Sequence, residues 1–78
     1  MKDLKKIVGL NIRNYRVAMG LSQEELAYRA SIHRALIGHI ERGERNITLK
    51  TLYKIAIALM ISPVMLLDEK TSTKASSK

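Results

Sequence analysis

Gln23, His33, Arg34, His39, Arg42, Arg45 and Asn46 crowd into one stretch of this sequence. Their amide, imidazole and guanidinium groups are planar hydrogen-bonding devices, suited to base edges and phosphate oxygens. Arg34 offers the most selective chemistry. Its fork can engage O6 and N7 of guanine together, a contact worth about 1–3 kcal/mol of discrimination. Covalent chemistry has far less to draw on. There is no cysteine, the only histidines are His33 and His39, and neither a nucleophile–base–orienter set nor a glycine-rich phosphate loop can be assembled. Two histidines alone are too few to hold a structural zinc. An enzyme is therefore not expected, and no cofactor or metal is.

Charge favours the same kind of partner. Fourteen Lys and Arg face seven Asp and Glu, giving +7 over 78 residues, which predicts attraction to a polyanion. An anionic membrane is the weaker choice, because no apolar run approaches the ~20 residues of a span. The N-terminal stretch to Leu10 is broken by Asn11 and Arg13, so it reads as an amphipathic helix and not as a leader. The length allows one domain, without room for a separate small-molecule effector module. Absence of cysteine fits a cytoplasmic, intracellular-type domain that depends on aliphatic packing.

The elements that must position these groups follow from spacing. Leu4, Val8, Ile12, Tyr15 and Met19 form the stripe of a first helix, which Gly20 ends. Ser22 and Glu25 make a capping box for a second, with Leu26, Ala27 and Ala30 inward. Ser31-Ile32-His33 interrupts it. A third helix runs from Arg34 to Arg42 with Ile37 and Ile40 inward, stopping at Gly43. Thr48 caps a fourth, whose core face is Leu49, Leu52, Ile55, Ala56 and Leu59, and Ser62-Pro63 opens a fifth. Nothing alternates with period two. The fold is expected to be all-α, a compact five-helix domain over residues 1–68, with 69–78 a disordered Ser-, Thr- and Lys-rich tail.

Two short helices joined by three residues have the layout of a helix-turn-helix. The wider string GLSQEELA at 20–27, followed by IGHIERG at 37–43 and Arg45-Asn46, resembles the Cro/C1-type, or Xre-like, helix-turn-helix regulators of the lambda-repressor-like fold. Within that family, ERGERNITL at 41–49 is most similar to the controller proteins of restriction–modification systems. The likeness spans about residues 7 to 67. Ser31 is a departure, since the turn position it holds is usually glycine and tends to need a positive φ; serine there should cost ~1 kcal/mol.

If the third helix enters a major groove, its N-terminal residues meet base edges first. Arg34 is then the leading base reader. Ala35 could touch a thymine methyl, Leu36 could do so from the edge, and Gly38 would permit close approach. For His39, a base or phosphate contact and an idle exposed imidazole stand level. His33 could reach phosphate. The resemblance implies that the Gln23 amide clamps the DNA backbone at a helix N-terminus, and that the loop of Arg42, Arg45 and Asn46 follows the sugar–phosphate chain. Lys50 could add a further contact. It also implies that Arg16 pairs with Glu41 to fix the third helix against the first, a structural role.

Ile57, Met60, Ile61, Val64, Met65 and Leu67 cannot all face one core, so a self-association surface is expected. A homodimer would set two recognition helices ~34 Å apart on a palindromic operator. The reading is a sequence-specific double-stranded-DNA-binding transcriptional regulator. Activation would require RNA polymerase, for which Glu24, Glu25 or Glu44 could serve. The alternative is an antitoxin-like protein-interaction module with secondary DNA binding. RNA binding is weaker, because the three tyrosines form no stacking platform.

Overall fold

The computed structural model describes residues 3–69. Five helices follow in order: α1 (Leu4–Ala18), α2 (Gln23–Ala30), α3 (Arg34–Glu41), α4 (Leu49–Ala58) and α5 (Pro63–Leu66). The fold is all-α, as the patterning predicts. Of the tail expected at 69–78, only Glu69 is among the described residues.

Local chemistry sets the helix starts. Asp3 caps α1 by accepting from the Lys5 amide at 3.1 Å. Ser22 and Glu25 complete the capping box of α2, with the Glu25 amide donating to Ser22 Oγ at 3.0 Å and the Ser22 amide donating to Glu25 Oε1 at 2.8 Å. Thr48 Oγ1 accepts from the Thr51 amide at 3.1 Å and opens α4. Each such cap satisfies a first-turn N–H that has no partner inside the helix. His33, the residue before α3, makes no side-chain cap bond.

The ends of α1 to α4 share one geometry, a left-handed residue closed by a bond across six residues. Gly20, Ser31, Gly43 and Met60 hold the positive φ. The closing amides are those of Leu21, Ile32, Glu44 and Ile61. Ser31 adopts φ 59° and ψ 45°, so the turn does take the shape that usually calls for glycine. Met60 does the same at φ 61°, and nothing in its residue type announced it.

Ile12, Leu26, Ile37, Ile55 and Leu66 are the fully buried centre, ringed by Val8, Leu21, Ala27, Ala30, Ile40, Leu52, Ala56 and Leu59. Three residues expected on apolar faces lie outside it: Leu4, Met19 and Leu49, exposed by 55%, 37% and 82%. At 15 residues, α1 is about twice the length of α3, so its middle is covered and its ends overhang. Leu49 is on the correct face of α4, but as the first helical residue its side chain leans back toward the N-terminus, past the last packed neighbour.

The centre also holds a polar group. Asn11 is fully buried and donates from Nδ2 to the carbonyls of Leu66 at 2.8 Å and Asp68 at 3.0 Å. Through these two bonds Asn11 fastens the last helix, and the residues just after it, to the first. Beside it Gly9 sets how closely α1 meets α3. A Cβ there would fall on the Ile40 carbonyl oxygen and lie 2.8 Å from that of Glu41. Backbone rests on backbone at this crossing, which fixes the third helix at its C-terminal end.

Candidate nucleic-acid interface

The third helix is clamped from within. Ile37 and Ile40 are buried against α1 and α2, where Ala27 and Ala30 leave space for a close crossing. A polar clamp reinforces them. Arg16 donates to Glu41 through Nε at 2.6 Å and Nη2 at 3.0 Å, while its Nη1 reaches the Leu21 carbonyl at 2.8 Å. The Gln23 amide nitrogen donates to the same Glu41 carboxylate at 3.1 Å. One carboxylate at the end of α3 therefore ties down α1 and the start of α2.

With Ile37 and Ile40 facing in, His33, Arg34 and Ala35 stand exposed at the N-terminus of α3. Leu36 lies at the border of this face. It is half-buried and packed against the core, because it lies beside Ile37 and Ile40 on the side that meets the loop before α4. At Gly38 the close approach is made by side chains of the protein itself. The glycine is buried, with the Arg42 guanidinium and the Gln23 amide oxygen lying over it; a Cβ would sit 3.2 Å from Arg42 Nη1 and 3.6 Å from Gln23 Oε1. Gln23 is accordingly held in place, its nitrogen on Glu41 and its oxygen above α3.

His39 and Arg42 do not stand free either. His39 Nδ1 lies 2.8 Å from Glu44 Oε1, and Arg42 Nε donates to Glu44 Oε2 at 3.0 Å. The bond from Arg42, followed by that to His39, holds the Glu44 carboxyl below the usual carboxylate range. Glu44, one of the acids the sequence offers for polymerase contact, has both its oxygens engaged within the face. The sequence signal for this cluster was the Gly43 turn. Only with φ at +73° does the chain fold back to bring residue 44 under residue 39. Arg45, Asn46 and Lys50 are exposed beyond it.

The assembled face carries guanidinium, imidazole and amide groups on one short helix and the loop after it. It has donors in quantity. Among the described residues, no group of three or more His, Cys, Asp or Glu could hold a metal ion. No described helix is long and apolar enough to cross a membrane.

A short helix set across a second after a three-residue turn, with its outer side polar and its inner side locked, defines a helix-turn-helix protein. The Helix-turn-helix family model matches residues 12–66, and the chain belongs to that family. It is similar to control protein C.SmaI of Serratia marcescens, 49% identical over 68 residues, covering 87% of this chain and 81% of that protein. Control protein C.BamHI of Bacillus amyloliquefaciens is 39% identical over 70 residues, with 88% and 86% covered. Among solved structures, the restriction–modification controller protein C.AhdI of Aeromonas hydrophila superposes with a TM-score of 0.78 at 42% identity, covering 80% of this chain and 94% of that one.

Proposed function

We propose that this protein is a sequence-specific double-stranded-DNA-binding transcriptional regulator, acting as a homodimer on a palindromic operator and controlling a restriction–modification operon. The observation that carries the reading is the fixed outer face of α3. The Glu41 clamp and the buried isoleucines leave that helix no freedom to rotate, while Arg34 and Ala35 project from its exposed N-terminal turn. A helix so held can test a groove for shape and donors, with Arg34 reading guanine. Arg45, Asn46 and Lys50 neutralise or bond the flanking phosphates, and His33 does so at the other end of α3.

Apolar exposure supports the dimer. Ile57, Met60, Val64, Met65 and Leu67 are 55%, 81%, 64%, 37% and 40% exposed. They come from the end of α4, from α5 and from the residues just after each, and the two helices pack on one another, so they supply a surface that a second copy would cover. Ile61 packs on the core instead. Output is then set by the concentration of the protein itself, without a small-molecule effector. Glu24 and Glu25, both exposed and outside the α3 cluster, are acids that could serve for RNA polymerase.

The test is a fluorescence titration with random duplex and with duplexes selected for binding, at two salt concentrations. Selection of a palindrome, bound far more tightly than random DNA and losing preference at one base step in Arg34→Ala, is the expected result. Weak binding, uniform across sequences and abolished by salt, would overturn it in favour of an antitoxin-like module whose apolar face takes another protein.

A further inference from the structure

The cluster on the far side of α3 contains an acid where a phosphate-binding surface should least want one. A carboxylate there repels DNA, and a half-exposed ion pair adds little stability to offset that repulsion. Glu44, His39 and Arg42 have side chains 49%, 46% and 56% exposed. The two Glu44 oxygens divide between the partners, Oε1 to His39 Nδ1 at 2.8 Å and Oε2 to Arg42 Nε at 3.0 Å.

The chemistry of this arrangement determines where the imidazole hydrogen sits. A carboxylate only accepts, so the ring nitrogen that faces it must carry the hydrogen. Arg42 Nη2, 3.3 Å from the same Nδ1, is itself a donor and makes no bond to a protonated nitrogen. The neutral ring is then the Nδ1–H tautomer, and its other nitrogen, Nε2, is an acceptor. On the arginine, the engaged atom is Nε, which leaves both terminal nitrogens of the fork available.

We infer that Glu44 is a specificity-determining positioning residue: it holds His39 as the Nδ1–H tautomer, so that Nε2 accepts a hydrogen bond from an exocyclic amino group, N6 of adenine or N4 of cytosine, in the major groove. Both amino groups are donors at the groove edge, and neither guanine nor thymine presents one there. Without the carboxylate, the ring is free to take the other tautomer and present a donor in place of an acceptor. This assignment rests on the DNA-binding regulator reading of the same face.

Two readouts on the full-length chain test it. The first is the nitrogen-15 spectrum of the imidazoles at about pH 8, above the ordinary range for histidine protonation, with His39→Gln assigning the resonances. The Nδ1–H pattern for His39 is expected in the wild-type protein, giving way to the Nε2–H pattern in Glu44→Ala. The second is selection of bound duplexes with the same two proteins. Wild type should prefer adenine or cytosine at one position of each half-site by roughly three- to tenfold, and Glu44→Ala should lose that preference while keeping the guanine step read by Arg34. An Nε2–H ring in the wild type, or an unchanged selection profile in Glu44→Ala, overturns the assignment alone. Failure of the wild type to select any sequence overturns the regulator reading together with it.

Discussion

Arg16 and Glu41 meet through two hydrogen bonds, of 2.6 and 3.0 Å, with side chains only 12% and 3% exposed. They are 25 residues apart in sequence, one on α1 and the other at the last turn of α3. The pair thus transmits the rigidity of a 15-residue helix to an eight-residue one. Breaking a buried pair by deleting one partner leaves the other charge desolvated. Arg16→Ala should cost about 3–5 kcal/mol in urea unfolding, lowering Tm by roughly 15 °C or more. Glu41→Gln, which keeps an acceptor for Arg16, should cost less. A loss below ~1 kcal/mol in Arg16→Ala would place the pair among ordinary solvent-screened ones.

Gly9 and Gly38 predict opposite outcomes for the same substitution. At Gly9 the added methyl meets the backbone carbonyls of Ile40 and Glu41, which cannot retreat without moving α3. Gly9→Ala should destabilise by about 1–3 kcal/mol. At Gly38 the nearest atom is the far end of the Arg42 side chain, which can move aside. Gly38→Ala should then gain up to ~1 kcal/mol from helix propensity, yet weaken DNA discrimination by displacing that guanidinium. Thermal unfolding and duplex titration of the two variants measure both effects.

Ser31 sits at φ 59° between α2 and α3. A side chain in the left-handed region costs ~1 kcal/mol or more, which glycine does not incur, although glycine gives back part of that through a freer unfolded chain. Ser31→Gly should raise Tm by a few degrees, roughly 2–6 °C, with duplex affinity unchanged. A fall in Tm would mean that the hydroxyl contributes more than the strain it accompanies.

Acid should weaken the fold through the first turn of α2. The Glu25 carboxyl is held below its usual range, first by the hydrogen bond from the Ser22 backbone and then by that from the Ser22 side chain. A carboxylate depressed in the folded state supplies stability above its unfolded range, and that stability disappears as pH falls through the folded value. Tm should therefore fall between about pH 5 and pH 3. Glu25→Gln should flatten the profile. The Glu44 carboxyl, also depressed, contributes with the same sign, and the double variant should be flatter still.

Much of this architecture can be read along the chain. Ser22, Glu25, Thr48, Pro63 and the terminating glycines each act on neighbours within a few residues, so their consequences are local and their residue types announce them. Ile37 and Ile40 likewise fix which side of α3 faces out, because a helix with two buried positions three apart has only one outer face. That placed Arg34 and Ala35 outward. Leu36 and Gly38 were harder, since each lies at the border of that face, where neighbouring elements decide whether solvent reaches it.

The sequence by itself determined the five helices, the caps at Ser22 and Thr48, the short turn and the polar side of the third helix, because periodicity and capping act over one or two turns. Tertiary structure alone decided that Leu4 and Leu49 overhang, that Asn11 is buried to hold α5, and that Gly9 admits backbone against backbone. It also decided that Arg42 covers Gly38 and that Glu44 turns back to bridge Arg42 and His39. These depend on how long one helix is relative to the next and on the direction a chain takes after a residue of positive φ. Pattern within an element carries neither quantity; both arise only when the helices close on a shared core.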